Sequence, residues 1–257
     1  MKLNGNTILI TGGTSGIGFT LAAELLKRGN TVIVTGRNQA NLDATQKKLP
    51  GVHVMQSDVS DPQAIVDLHR KITTEFPALN MLINNAGVMR KLNLQTLGTD
   101  LHDATREIDI NLSGSIRMVL QFLPHLKQQK NAAIVNLSSG LAFVPLPISP
   151  IYSATKAAMH SFTQSLRLQL KNTSVKVFEL APPGTETPLF HGDFDADDVK
   201  GLTPMPLQTM VAKAIAGLEN DTLEIRPGLS NVLKIMSRLA PDFILKQLAK
   251  SVDRMHA

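Results

Sequence analysis

The chain is predicted to fold as an α/β domain built around a parallel sheet of six or seven strands. Three observations carry that expectation. Short β-branched runs of about five residues alternate with helix-patterned runs of about twelve, which is how successive βαβ units read. The first such run leads straight into a glycine-rich turn that opens a helix. A later run, residues 132–137, is apolar enough to be buried on both faces, as the central strands of a parallel sheet are.

In chain order, strands are expected at residues 7–11, 31–35, 52–56 and 79–84, separated by helices at 15–28, 38–49 and 61–75. A long helix over 101–129 then leads to the buried strand at 132–137. A helix at 149–171, a strand at 175–180, a helix at 206–218 and a short strand at 222–225 complete the pattern. Residues 182–204 interrupt it with Pro182, Pro183, Pro188, Pro204 and an acidic cluster of Asp193, Asp195, Asp197 and Asp198. A loop of that length is either a substrate lid or a plain surface insertion. The extension 229–257 places Val232, Leu233, Ile235, Met236, Leu239, Phe243, Ile244, Leu248 and Val252 on a broad helical stripe, interrupted at Pro241. Such a stripe can pack on its own domain, join subunits or lie on a membrane surface, ranked in that order.

Composition narrows the function classes. With 257 residues, 43% of them hydrophobic, the chain can build one large core, and a single domain over 1–257 is the simplest reading. Cysteine is absent, which removes disulfides, zinc-thiolate clusters and a cysteine nucleophile. Lys plus Arg exceed Asp plus Glu by 26 to 21 but form no block or stripe, so nucleic acid is not expected as a partner. The longest apolar candidate for a membrane span, 141–151, is broken by Pro145, Pro147 and Pro150. The first residues run into a strand without a secretory pattern, and a cytoplasmic location is the expectation. None of the seven histidines has metal-ligand spacing with another ligand, so no metal is expected, and His160 is read as packing.

The turn after the first strand reads Gly12-Gly13-Thr14-Ser15-Gly16-Ile17-Gly18. A strand, a glycine turn and a helix N-terminus together form an anion site, because unpaired backbone N–H groups and the positive end of the helix dipole converge there. The spacing differs from G-x-G-x-x-G, and no Lys-Ser or Lys-Thr follows to suggest a nucleotide triphosphatase. At the end of the second strand, where an NAD-preferring fold places an acidic residue, stand Gly36 and Arg37. A guanidinium there can bind a 2′-phosphate that a carboxylate would repel, so NADP(H) is favoured over NAD(H); Arg37 as a solvated strand-end residue is the plainer alternative.

Tyr152 and Lys156, four apart at the start of a predicted helix, project from one face. A phenol is a poor base at neutral pH, and the expectation is that the nearby ammonium, helped by a cationic nicotinamide ring, lowers its pKa toward the working range. Tyr152 is the only tyrosine in the chain. Ser139, just past the buried strand, could hydrogen-bond a substrate oxygen, with Ser138 its competitor for that role and a strand-end cap the bland reading of either.

Taken together, Thr11-Gly12-x3-Gly16-Ile17-Gly18, Asn84-Asn85-Ala86-Gly87, Asn111, Ser139 and Tyr152-x3-Lys156 resemble the motifs of the short-chain dehydrogenase/reductase family in order and spacing, over residues 7 to about 190. The resemblance implies a Rossmann-type doubly wound parallel sheet of about seven strands with helices on both faces. It implies a catalytic tetrad of Asn111, Ser139, Tyr152 and Lys156, with Lys156 also holding the nicotinamide ribose and Asn111 binding a water that links Lys156 to solvent. A cofactor contact set of Gly12, Thr14, Ser15, Gly16, Ile17, Gly18, Arg37, Asp58, Val59, Asn85, Ala86, Gly87, Pro182, Thr185 and Thr187 follows from it, as does a homodimer or homotetramer. The chain departs from the family pattern in having Ser15 where many NADP-binding members carry a basic residue, and Pro182-Pro183-Gly184 where Pro-Gly is usual.

By the same analogy Val88, Met89, Leu141, Phe143, Val144, Leu146, Leu189 and Phe190 wall the substrate pocket. Such apolar walls suit a hydrophobic ketone, aldehyde or secondary alcohol. Arg90 and Lys91 could anchor an acidic group or simply be solvated. An NAD-dependent alcohol dehydrogenase and a non-catalytic dinucleotide sensor are the rival readings. The sensor would have no need of serine, tyrosine and lysine together. A serine hydrolase would need a histidine base and a G-x-S-x-G turn, which neither serine has.

Overall fold

The computed structural model describes residues 1–96, 98, 100–194, 198 and 203–255, the last three without their side chains. Seven parallel strands form one sheet in the order β3-β2-β1-β4-β5-β6-β7. They are β1 (Thr7–Thr11), β2 (Thr31–Gly36), β3 (His53–Gln56), β4 (Leu79–Asn84), β5 (Ala132–Leu137), β6 (Val175–Leu180) and β7 (Glu224–Ile225). Every strand predicted from the sequence is present, and the last is shorter than the pattern suggested.

The alternation of side chains along each strand feeds two cores. Ile8, Ile10, Val32, Val34, Met81, Ile83, Val135 and Phe178 face helices α1 (Gly16–Lys27), α2 (Gln39–Lys48) and α7 (Leu207–Glu219). Leu9, Ile33, Leu82, Ile134 and Val177 face α3 (Pro62–Glu75), α5 (Ser115–Leu126) and α6 (Pro150–Gln169). Helix starts follow local chemistry. Asn38 and Asp61 cap α2 and α3 by accepting from Asn41 and Gln63 N–H, and Pro62 and Pro150 occupy first-turn positions where a missing N–H costs nothing.

The long helix expected over 101–129 is a correction. It is α4 (Leu101–Ile108), then a π turn (Asp109–Gly114), then α5, which ends at Leu126. Inside the π turn the Ser115 hydroxyl donates to the Asn111 carbonyl at 3.1 Å. Gly114 lets the Val59 carbonyl approach so closely that an added Cβ would stand 2.7 Å from its oxygen. The widened turn presents Asn111 toward the segment that follows β4.

The C-terminal extension forms two packed helices, α8 (Leu229–Leu239) and α9 (Pro241–Met255). Ser230 and Leu233 are buried against a 3₁₀ turn at Gly140–Ala142, so one side of α8 does pack on its own domain; Leu229, Val232, Ile235, Leu239 and Phe243 remain exposed. Of the 182–204 segment, Asp195 and Asp197 lie outside the described residues, while Asp198 is buried and paired with Lys91 at 2.8 Å. No described helix is long and apolar enough to cross a membrane.

Phe122, fully buried between α5 and the sheet, anchors the second core. Phe122→Ala is expected to destabilise the fold by about 3–5 kcal/mol in urea unfolding, and a loss below about 1 kcal/mol would show that this core is not what holds α5 in place.

Candidate active site

The strand order reverses between β1 and β4, and a crevice opens at their C-terminal ends, where open α/β sheets bind ligands. Asn85 shapes it. Its Nδ2 donates to the carbonyls of Thr11 and Gly12, both at 2.9 Å, while the Thr11 hydroxyl accepts from the N–H groups of Asn85 and Ala86 at 3.1 and 3.0 Å. Gly12, at φ +64°, lies so close to this segment that a Cβ would meet the Ala86 Cα at 2.8 Å. Gly18 sits behind the turn, where a Cβ would stand 2.4 Å from Asn85 Nδ2. Gly18 is therefore a packing glycine and does not line the cavity, which corrects its expected place among the contact residues.

Helix α1 begins at this turn with its first N–H groups uncapped: Ser15 is the N-cap but its side chain makes no capping bond, and the first turn holds no acidic residue. Uncapped amides at the positive end of a helix favour an anion. Gly12, Thr14, Ser15, Gly16 and Ile17 line a cavity of about 800 Å³ that continues in two directions. One arm runs past Gly36, Arg37, Asp58 and Val59. The other passes Asn85, Ala86, Gly87 and Val88 to Ser139, Tyr152, Lys156, Pro182, Thr185 and Thr187. An elongated cleft with an anion seat at its middle fits a dinucleotide.

In the first arm the Arg37 side chain is 58% exposed, and its guanidinium stands 3.9 Å from the Asp58 carboxylate. So long and exposed a pair binds weakly. Asp58 is held mainly by the Ser60 N–H and hydroxyl, at 2.9 and 2.7 Å.

The second arm ends on a buried polar group. Tyr152 and Lys156 face the cavity from α6, with the ammonium 5.4 Å from the phenol ring centre and donating to the Leu137 carbonyl at 2.9 Å. Burial pushes the Tyr152 hydroxyl up to about 12, against the Ser139 hydrogen bond that lowers it, with the Glu107 carboxylate adding to the rise. Burial also pulls Lys156 down to about 8. Without the cofactor's charge, desolvation is the largest influence on the phenol and holds it protonated. Ser138 and Ser139 both line the cavity but differ in their partners. The Ser138 hydroxyl donates to the buried Glu179 carboxylate, whereas Ser139 hydrogen-bonds Tyr152 and caps the 3₁₀ turn by accepting from Leu141 N–H at 3.1 Å.

Asn111 is buried and does not reach the cavity wall. Its Nδ2 donates to the Val88 carbonyl at 2.8 Å and its Oδ1 accepts from Val88 N–H at 2.8 Å, with a further bond from Nδ2 to Thr155 at 3.2 Å. The side chain clamps the post-β4 segment onto α6. The double-proline segment is ordered by its own threonines: Thr185 donates to the Pro183 carbonyl at 2.8 Å, and Pro182 accepts from Gly140 N–H at 2.8 Å.

Of the expected pocket wall, Val88, Met89, Leu141, Leu146, Leu189 and Phe190 line the cavity. Phe143 and Val144 do not. Val144 is buried, and the Phe143 ring is engaged edge-on by His160 and faced by the Lys234 ammonium at 4.5 Å. Arg90 and Lys91 are neither solvated nor free to anchor a ligand, since Arg90 bonds Asp103 at 2.7 Å and Lys91 pairs with Asp198. His160, read as packing, is polar instead: it contacts Glu179 at 2.8 Å and Lys234 at 3.1 Å. Met205, Leu229, Leu233 and Leu248 also line the cavity and were not expected to; for the last three the apolar C-terminal extension was the available signal, and for Met205 there was none.

Comparison with known proteins agrees with this geometry. The family model for short chain dehydrogenases matches residues 6–198. An uncharacterized oxidoreductase, DltE of Bacillus subtilis (strain 168), is 39% identical over 250 residues, covering 96% of this chain and 98% of its own length. A short chain dehydrogenase from Burkholderia cenocepacia J2315, solved in complex with NADP, superposes with a TM-score of 0.81 at 25% identity, covering 96% of this chain and 99% of that one. A 3-ketoacyl-(acyl-carrier-protein) reductase from Brucella melitensis, complexed with NADH, gives 0.76 at 26% identity, covering 84% and 91%. The chain belongs to the short-chain dehydrogenase family, whose members are oxidoreductases working with a nicotinamide cofactor.

The Lys156 shift has a consequence for stability. Between about pH 8 and 10.5 the unfolded chain binds more protons at this lysine than the folded one, so stability rises with pH across that window and is lost as pH falls through about 8. Tyr152 acts oppositely between 10 and about 12, where the folded chain keeps a proton that the unfolded chain has released. Urea midpoints measured at about pH 8 and about pH 10, across that window, are expected to rise less in Lys156→Met than in the unaltered protein; equal slopes would show that Lys156 is not desolvated as described.

Proposed function

We propose that this protein is an NADP(H)-dependent carbonyl reductase acting on a hydrophobic ketone or aldehyde, or in reverse on the secondary or primary alcohol. The observation that carries the proposal is the meeting of Ser139, Tyr152 and Lys156 at one end of a cleft whose middle is the uncapped start of α1. The nicotinamide, when bound, supplies the hydride that reaches the carbonyl carbon. Everything else is asked of the chain. Ser139 donates to the carbonyl oxygen as negative charge grows there. Tyr152, protonated at neutral pH because burial holds its pKa near 12, gives its proton to that oxygen and completes the alcohol. Lys156 stands beside the phenol and stabilises the phenolate left behind until solvent returns the proton. In the oxidation direction the same groups run the steps backwards.

Arg37 carries the preference for NADP(H). It is exposed and only loosely held by Asp58, so it is available to a 2′-phosphate, and Gly36 beside it leaves room. The NADP complex of the Burkholderia neighbour supports this reading, and the NADH complex of the Brucella neighbour makes Arg37 the residue to test. The apolar walls from Val88, Met89, Leu141, Leu146, Leu189 and Phe190 support a hydrophobic substrate over a sugar or polyacid.

Purified protein is expected to oxidise NADPH in the presence of alkyl methyl ketones. Tyr152→Phe should lower kcat by at least about a thousandfold while NADPH still binds, as followed by cofactor fluorescence. Full activity in the Phe variant would remove Tyr152 from its role. Arg37→Ala should raise the KM for NADPH by about tenfold and leave that for NADH unchanged, whereas equal effects on both cofactors would overturn the NADP assignment.

A further inference from the structure

Behind the catalytic serine lies a cluster that the reaction does not use. Glu179 on β6 is fully buried and accepts from the Ser138 hydroxyl on one side and from His160 Nδ1 on the other, at 2.8 Å. The second nitrogen of His160, Nε2, meets the ammonium of Lys234 on α8 at 3.1 Å. An ammonium only donates, so Nε2 must carry the lone pair and Nδ1 the proton; the ring is neutral, and its tautomer is set by its partners. Lys234 also stands 3.6 Å from Glu224, which Arg226 pairs at 2.9 Å, and Arg226 donates to Asn231 of α8 at 3.2 Å. His160, Glu179 and Glu224 could by spacing hold a metal ion, their ligand atoms lying within 4.8 Å of one another. Lys234 brings its own positive charge to that place, which argues for an internal charge network instead.

The network joins three elements that meet at the substrate end of the cleft. Ser138 is the residue before Ser139. His160 lies one turn beyond Lys156 on α6. Lys234 belongs to α8, whose Leu229 and Leu233 line the cavity. The same helix touches the serine turn directly: a Cβ on Gly140 would stand 2.7 Å from Ser230 Oγ and 3.2 Å from Leu233. Hydrophobic packing engages one side of α8 only, since Val232, Ile235 and Leu239 are exposed. The Glu179 carboxylate supplies the rest of the hold, because it is fully buried and losing a partner leaves it under-satisfied, while His160 and Lys234 carry the contact outward to α8.

We propose that Ser138, Glu179, His160 and Lys234 form a buried relay that holds α8 against the Ser139–Gly140 turn as the wall for the apolar part of the substrate. His160 and Lys234 are then positioning residues for substrate recognition, and neither touches the reacting atoms. The proposal deepens the carbonyl-reductase reading and rests on it for its kinetic part.

Lys234→Met tests it, because this side chain is only 14% exposed and methionine keeps its unbranched apolar stem. Two probes are used with NADPH: butanone, too short to reach α8, and methyl octyl ketone, long enough to lie against it. The expected result is a rise of about tenfold in the KM for methyl octyl ketone, with kcat for butanone and the NADPH dissociation constant unchanged. Adding Ser138→Ala to Lys234→Met should raise that KM no further, since both variants cut one chain of contacts. Independently of turnover, hydrogen exchange of residues 138–143 should quicken in Lys234→Met, although the substitution lies on another element. An equal loss with both ketones, additive effects in the double variant, or unchanged exchange at 138–143 would each overturn the relay. If the unaltered protein reduces neither ketone, the substrate reading falls by itself, and the exchange measurement alone decides the relay.

Discussion

The crevice that makes this site possible depends on one side chain, the amide of Asn85. Parallel strands β1 and β4 diverge at their C-terminal ends, and their last carbonyls would be left without partners in a partly dry cleft. Asn85 takes two of them, while the Thr11 hydroxyl receives the N–H groups of the departing segment. The exchange is reciprocal. It keeps the cleft open without leaving polar groups unsatisfied, and it sets the height at which the glycine turn passes under Ala86. Lengthening either glycine by a methyl group would lift the start of α1, and with it the anion seat.

At the other end of the cleft, burial sets the electrostatics. A phenol and an ammonium side by side would draw each other toward ionisation in water. Here they are pushed toward their neutral forms together, the tyrosine upward and the lysine downward. That is a useful arrangement for a proton donor, because the acid is not spent before a carbonyl arrives. Glu107, buried and bonded to Arg90 N–H at 3.1 Å, adds to it from behind, its own carboxyl raised by burial.

Features whose geometry is local were legible in the sequence. The strands, the glycine turn and the Tyr152–Lys156 spacing each depend on a few adjacent residues, and periodicity or backbone chemistry specifies them directly. What was not legible depends on distant partners. Phe143 looked like a pocket residue because it follows Ser139 closely, yet the contacts with His160 and Lys234 turn it away from the cavity. His160 looked apolar in context because Glu179 and Lys234 lie on other elements. Leu229, Leu233 and Leu248 could be read as an amphipathic stripe, but nothing in their spacing says which surface that stripe meets. The bond from Ser138 to Glu179, forty-one residues on in the chain, was likewise not legible from neighbouring residues.

The π turn at Asp109–Gly114 is the accommodation of one extra residue within a helix. Removing a single residue there would restore a continuous α-helical ladder, and it would also rotate Asn111 by about 100° around the axis. The amide would then face away from Val88, and the segment over the cleft would lose the clamp that joins it to α6. By this measure the widened turn couples the helix to the cleft, and straightening it would uncouple the two without unfolding the domain.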